Sequence, residues 1–185
     1  MHQDQQETAF APDATPDVSI RTATSNDIED LLALVRVCID HLRSCGIEQW
    51  DEVYPDHNTI ERDVRSGTTF LASNARETVG TIVLNDHQEP EYAEVPWQFT
   101  TGRVSVIHRL MIRPSMEGKG LGRLLMHFAE ARALTTGCRS IRLDAFTENP
   151  RALRLYERLG YRDAGQVRFR KGYFRCFEKE LGGAG

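Results

Sequence analysis

No apolar run in the 185 residues is long enough to span a bilayer, so no membrane partner is expected. Residues 1–17 lack a basic start followed by an apolar core, and no secretory signal is expected there. Cysteine is scarce: four residues, at positions 38, 45, 138 and 176, with no C-x-x-C pair and no histidine cluster near them. That spacing argues against a disulfide framework and against a metal site. Free thiols suit a reducing compartment, so a cytoplasmic location is expected. Basic residues are scarce in one half only. Residues 1–100 carry 6 Arg/Lys against 19 Asp/Glu, and residues 101–185 carry 17 against 8. The total of −4 argues against a nucleic-acid partner. The asymmetry has two readings. The second half holds a polyanionic ligand and the first draws a cationic substrate, or the halves neutralise each other by packing.

What the chain does have is the pattern of one domain with a real core. Residues 1–17 are rich in Gln, Asp, Ala and Pro and predict a disordered tail. Residues 18–23 alternate as a short strand. Ile28, Leu31, Leu32, Val35, Ile39 and Leu42 share one helical face, with Gly46 as the stop. Residues 56–66 predict a second helix. Residues 68–73 and 78–84 predict a strand hairpin. Residues 85–102 form a long acidic and aromatic connection, and a connection of that length is often functional. Residues 140–146 predict a strand with Ile141, Leu143 and Ala145 on one side and Arg142, Asp144 and Phe146 on the other. Asn149-Pro150 opens another helix, closed by Gly160. Residues 161–169 and 172–181 predict a final antiparallel pair, and 182–185 a frayed end. The order is β, α, α, β, β, β, α, β, α, β, β. It predicts a mixed α/β fold of six to seven strands and about four helices, with an antiparallel start and one parallel crossover.

The stretch from Val104 to Leu125 stands out. Val104, Val106, His108, Leu110 and Ile112 alternate, predicting a strand with these five on one face. Pro114 ends it, and Glu117-Gly118-Lys119-Gly120-Leu121-Gly122 leads into a helix. Strand, glycine turn and helix leave unpaired N–H groups at the positive end of a helix dipole, a ready site for an anion such as phosphate. The spacing fits neither the P-loop nor the dinucleotide fingerprint. By itself it is more often the mark of a tight turn before a helix.

A second motif changes that balance. Asn149 to Tyr161, N-P-R-A-L-R-L-Y-E-R-L-G-Y, follows the predicted parallel strand. Together with E-G-K-G-L-G it resembles the two signatures of the GNAT superfamily of acetyl-CoA-dependent N-acetyltransferases, over roughly residues 18–181. The resemblance implies a GNAT-like sheet in a single acetyltransferase domain over 18–181, and acetyl-CoA as co-substrate. It implies that backbone N–H groups of Gly118, Lys119, Gly120, Leu121, Gly122 and Arg123 hold the pyrophosphate of coenzyme A. The backbone of Leu110, Met111 and Ile112 would pair with the pantetheine arm. Asn149 would contact that arm or order the site, and Tyr156 would be the general acid for the departing thiolate. One position departs from the signature: Glu117 stands where Gln or Arg is usual, and its carboxylate is expected to turn outward.

A base must take a proton from the acceptor ammonium, because only the neutral amine attacks. Glu94 is placed first, beside the aromatic-rich connection. Glu91, Glu48, Asp51, His108 and Asp144 are also candidates, as is a water relay. Trp50, Tyr54 and Trp97 are candidates for the acceptor site, since ring faces among carboxylates hold amines. The expected activity is acetyl transfer from acetyl-CoA to a primary amine of a small, cationic acceptor, by direct attack in a ternary complex. The second reading is a non-catalytic module that binds acyl-CoA or a partner protein. A homodimer is carried as an expectation alongside the small-molecule acceptor.

Overall fold

The computed structural model describes residues 17–182. The expectations for a disordered tail and a frayed end therefore fall outside the described residues, apart from Asp17 and Gly182. Among the described residues seven strands form one sheet: β1 (Ser19–Thr22), β2 (Thr69–Ser73), β3 (Thr78–Asn85), β4 (Arg103–Ile112), β5 (Cys138–Phe146), β6 (Arg162–Phe169) and β7 (Gly172–Glu180). Their spatial order is β1-β2-β3-β4-β5-β7-β6. Of these seven strands only β4 and β5 pair parallel; every other neighbouring pair among them is antiparallel. Four α-helices are present among the described residues: α1 (Ile28–Ser44), α2 (His57–Arg65), α3 (Leu121–Thr135) and α4 (Pro150–Arg158). This is the mixed fold that the order of patterns predicts. None of these helices is long and apolar enough to cross a membrane.

Local chemistry explains the helix starts. Asp27 accepts from the Thr24 N–H at 2.7 Å as part of a capping box ahead of α1, and both Arg21 terminal nitrogens also donate to its carboxylate. Asp56 caps α2 by accepting from Thr59 N–H at 2.9 Å. Gly120 caps α3 in the left-handed region, at φ 77°. Asn149 caps α4, accepting from Ala152 N–H at 3.1 Å, with Pro150 in the first helical position.

The apolar stripes set the layers. Leu121, Leu125, Met126 and Ala129 of α3 and Tyr156 of α4 pack with Val79, Ile82, Ile141, Leu143 and Phe177 on one face of the sheet. Leu31, Leu34, Val35 and Ile39 of α1 pack with Ile60 and Val64 of α2, Leu71 and Met111 on the other. Burying a side chain of this size contributes about 1.5–3 kcal/mol.

Two features of β4 shape the functional face. The first corrects the expected single face of Val104, Val106, His108, Leu110 and Ile112. Leu84 pairs with Ile107 but Ile82 pairs with Leu110, so β4 carries one extra residue at His108-Arg109. This bulge reverses the alternation. Val106 packs beneath Tyr92 and Phe146, whereas Leu110 and Ile112 pack toward α3. The second is a divergence. Pairing of β4 with β5 runs from Arg103–Cys138 to Ile107–Leu143. Beyond that point β4 stays paired to β3 as far as Ile112, and β5 to β7 as far as Phe146. Their facing edges are left without each other, at Leu110–Ile112 and Asp144–Phe146.

Candidate active site

A cavity of about 580 Å³ opens where β4 and β5 part. His108, Leu110, Met111 and Ile112 come to it from β4, and Asp144 and Ala145 from β5. Asn149, Arg151, Leu155 and Tyr156 line it from α4 and its cap, and His41, Cys45 and Trp50 from the end of α1 and the loop after it. The unpaired edges on its floor offer backbone donors and acceptors to any extended ligand, as a strand edge does.

The glycine turn stands at one end. Gly118 and Gly120 both have φ in the left-handed region, 73° and 77°, where side chains are strained. A Cβ on Gly122 would meet Leu155 Cδ2 at 3.3 Å, so glycine lets α3 and α4 approach closely. The first i→i−4 bond of α3 is donated by Leu124 to the Gly120 carbonyl, at 3.0 Å. The N–H groups of Leu121 and Gly122 thus open the helix ahead of that ladder. The Leu121 side chain belongs to the core, and Lys119 and Arg123 are exposed. Glu117 does not turn outward as expected. It lines the cavity, paired to Arg151 and with Oε2 at 3.1 Å from His41 Nε2. An acidic side chain beside two basic ones gains more by facing them than by facing water.

Tyr156 is buried and is one of the residues lining the cavity. Burial, and after it the charge of Asp144, pushes the phenol well up, so it stays protonated. Asp144 occupies the β5 edge. Tyr92 donates to its Oδ2 at 2.7 Å. Burial pushes the carboxyl up to about 6; the Tyr92 hydrogen bond pulls the other way, and Glu89 adds to the rise. His108, at the bulge, has Nε2 at 2.8 Å from Asn85 Oδ1. Burial, then the neighbouring Arg109 and His87, lowers it to about 4, so it is neutral at pH 7. Asn149 does two things: its Oδ1 caps α4 and its Nδ2 donates to Gln49 Oε1 at 3.0 Å.

The remaining expected residues are scattered. Trp50 is buried against α1 and lines the cavity. Tyr54 and Trp97 are not among the lining residues, because the chain's own arginines occupy their ring faces. The Arg109 guanidinium lies 5.4 Å from the Tyr54 centroid and also bonds the Tyr54 hydroxyl and Asp63. The Arg142 guanidinium lies 4.3 Å from the Trp97 centroid and donates to the Phe99 carbonyl. Glu94 ends a short 3-10 turn (Pro90–Glu94) that buries Tyr92 and leaves Glu94 exposed, away from the cavity lining. Glu91 is exposed on the same turn. Asp51 is engaged elsewhere: Arg170 clasps it at 2.7 and 2.9 Å and Lys171 lies at 3.3 Å. Arg170 holds its carboxyl well below the usual range.

Two site features were hard to find in sequence. Tyr92 is one aromatic among several in a long connection, and only the fold brings it to Asp144. Gln49 carries no motif at all. The one signal in the sequence is the acid at position 144, on the strand side opposite Ile141, Leu143 and Ala145.

Comparison with known proteins agrees with this geometry. The Acetyltransferase (GNAT) family model matches residues 35–161. Thialysine N-epsilon-acetyltransferase of Bos taurus is 25% identical over 171 residues, covering 88% of this chain and 92% of that protein. A GNAT-family acetyltransferase structure from Streptococcus agalactiae superposes with a TM-score of 0.78 at 22% identity, covering 90% of this chain and 97% of that one. The ribosomal-protein-S18-alanine N-acetyltransferase of Escherichia coli superposes at 0.66 with 14% identity, covering 91% and 96%. With the family match running from α1 through the glycine turn to the end of the Asn149–Tyr161 motif, the chain belongs to the GNAT acetyltransferase family and is an acyltransferase.

Proposed function

We propose that this acyltransferase moves acetyl from acetyl-CoA to a primary amine of a small acceptor, with Asp144 as the base and Tyr156 as the acid. The observation that carries the assignment is the placement of both side chains in one cavity at the parted edges of β4 and β5. The residues present suit coenzyme A. The left-handed glycines and the α3 N-terminus can approach a pyrophosphate, and the open β4 edge at Leu110, Met111 and Ile112 can pair with an amide-bearing arm. Acetyl-CoA supplies an activated acyl group as a thioester.

The chain's own groups divide the remaining work. A backbone N–H on the β4 edge is a suitable donor to an acyl oxygen as charge develops there. Asp144 is mostly ionised at pH 7 and can accept a proton from an ammonium. His108, held near 4, is the weaker base, and the exposed Glu94 would need a relay to reach the cavity. Tyr156 keeps its proton until a thiolate develops beside it. Among the charged lining residues the carboxylates Asp144, Glu117 and Glu148 outnumber the guanidiniums of Arg151 and Arg154, which supports a cationic acceptor over an anionic one. The name of the bovine relative, an acetyltransferase of a side-chain amine, is consistent with that class.

Thiol release from acetyl-CoA, followed with a panel of small amines and acidic acceptors, tests this reading. Turnover is expected with the cationic amines. Tyr156→Phe is expected to lower kcat by roughly 10²-fold or more while the affinity for coenzyme A stays within about twofold. Cofactor binding without thiol release for any acceptor would instead support a binding module.

A further inference from the structure

Glu117 sits at the junction of three elements. It ends the turn before the glycines, and its side chain is only 21% exposed. Its Oε2 meets the Arg151 guanidinium from the first turn of α4 and lies 3.1 Å from His41 Nε2 of α1. All three residues line the cavity, next to the glycine turn. Arg151 is the more exposed partner, with 65% of its side chain open to solvent.

A guanidinium offers the same fork of N–H donors to a carboxylate and to a phosphate. A pyrophosphate seated on the glycine turn would bring negative charge beside Glu117, and like charges so close repel. Arg151 is the nearby cation that suits both anions, and it cannot satisfy both with the same nitrogens. We propose that Arg151 is a further cofactor-binding residue and that Glu117 is its built-in competitor. Without cofactor, Arg151 and Glu117 pair at the cavity wall. On binding, Arg151 exchanges the carboxylate for a phosphate oxygen, and His41 stays with Glu117. The inference rests on the reading that this cavity takes coenzyme A.

Calorimetric titration with coenzyme A, without acceptor or acetyl group, measures the exchange apart from turnover. Glu117→Gln keeps shape and polarity while removing the competing charge, and is expected to bind coenzyme A roughly three- to tenfold more tightly. Arg151→Gln is expected to bind more weakly by a similar factor. The double variant decides what Arg151 does. If Arg151 meets phosphate, adding Arg151→Gln to Glu117→Gln still weakens binding by at least that factor. If Arg151 only neutralises Glu117, the second substitution changes nothing and the proposal fails. Pantetheine, which lacks the phosphates, should bind Glu117→Gln and wild type equally; an equal gain with pantetheine would overturn the exchange. Failure of the wild type to bind coenzyme A would overturn the cofactor reading and this inference together. Wild-type binding with an unchanged Glu117→Gln affinity would overturn the exchange alone.

Discussion

At the residue scale, Asn149 shows how one side chain serves stability and assembly at once. Its Oδ1 caps α4 and its Nδ2 reaches Gln49 in the loop after α1. The two roles separate by substitution. Asn149→Ala removes both and is expected to cost about 1 kcal/mol in denaturant unfolding. Asn149→Asp keeps the capping oxygen and loses the donor. It is expected to unfold within a few tenths of a kcal/mol of wild type, as Asp and Asn cap about equally, while the acceptor KM rises. An unchanged KM in both variants would leave Asn149 as a cap only. The capping half of this was legible in Asn149-Pro150-Arg151, because capping is a local rule. The bond to Gln49 was not, because it joins residues 100 positions apart.

At the element scale, the patterns found the strands and helices to within a residue or two but missed the bulge in β4. Strict alternation of Val104, Val106, His108, Leu110 and Ile112 reads as one face, yet the extra residue at His108-Arg109 divides it. The run contains no Gly or Pro to mark the bulge; it is visible only against the register of β3. The aromatic connections were half legible. Their rings do hold cations through their faces, but the cations are Arg109 and Arg142 of the same chain, brought by β4 and β5. The residue 85–102 connection is thereby packed down, with Glu178 accepting from Gln98 and Phe99 N–H at 2.8 and 3.2 Å.

The loop between α1 and α2 is held differently. Asp51 accepts from Val53 and Tyr54 N–H and from Arg170 on the β6–β7 turn, which fixes Trp50 beside the cavity. Asp51→Asn keeps a turn acceptor and loses the charge. Such a variant is expected to raise the acceptor KM several-fold and leave coenzyme A affinity unchanged, as read by steady-state kinetics beside titration. A loss of cofactor affinity instead would place this loop on the cofactor side.

At the scale of the whole molecule, the contrast between an acidic first half and a basic second half has a partly structural meaning. Arg109 pairs with Asp63, Arg113 with Glu77 and Arg170 with Asp51, so the halves neutralise each other where they pack. Lys119 in the glycine turn and Arg123 in the first turn of α3 have exposed side chains near the place the proposed polyanion would take. The packing reading of the asymmetry therefore holds at these pairs, and the ligand reading rests on the proposed cofactor site. The fold as a whole was legible because order and periodicity survive packing. The cavity was legible only through its two motifs, since the parting of β4 from β5 depends on register and not on local composition. Asp144 illustrates the limit: sequence shows an acid opposite the core face, and only the fold shows that Tyr92, Tyr156 and the cavity surround it.

The pH dependence of acetyl transfer tests the assignment of Asp144 most directly. Burial raises this carboxyl to about 6, so it is protonated and inactive as a base below that value and ionised above it. Wild-type kcat is therefore expected to rise with pH through about 6 and then level. In Asp144→Asn, which preserves an acceptor for the Tyr92 hydroxyl, kcat should fall roughly 10²- to 10⁴-fold. The rise near 6 should vanish while coenzyme A affinity holds. A variant that keeps the wild-type rate and the same rise near pH 6 would show that another group takes the proton.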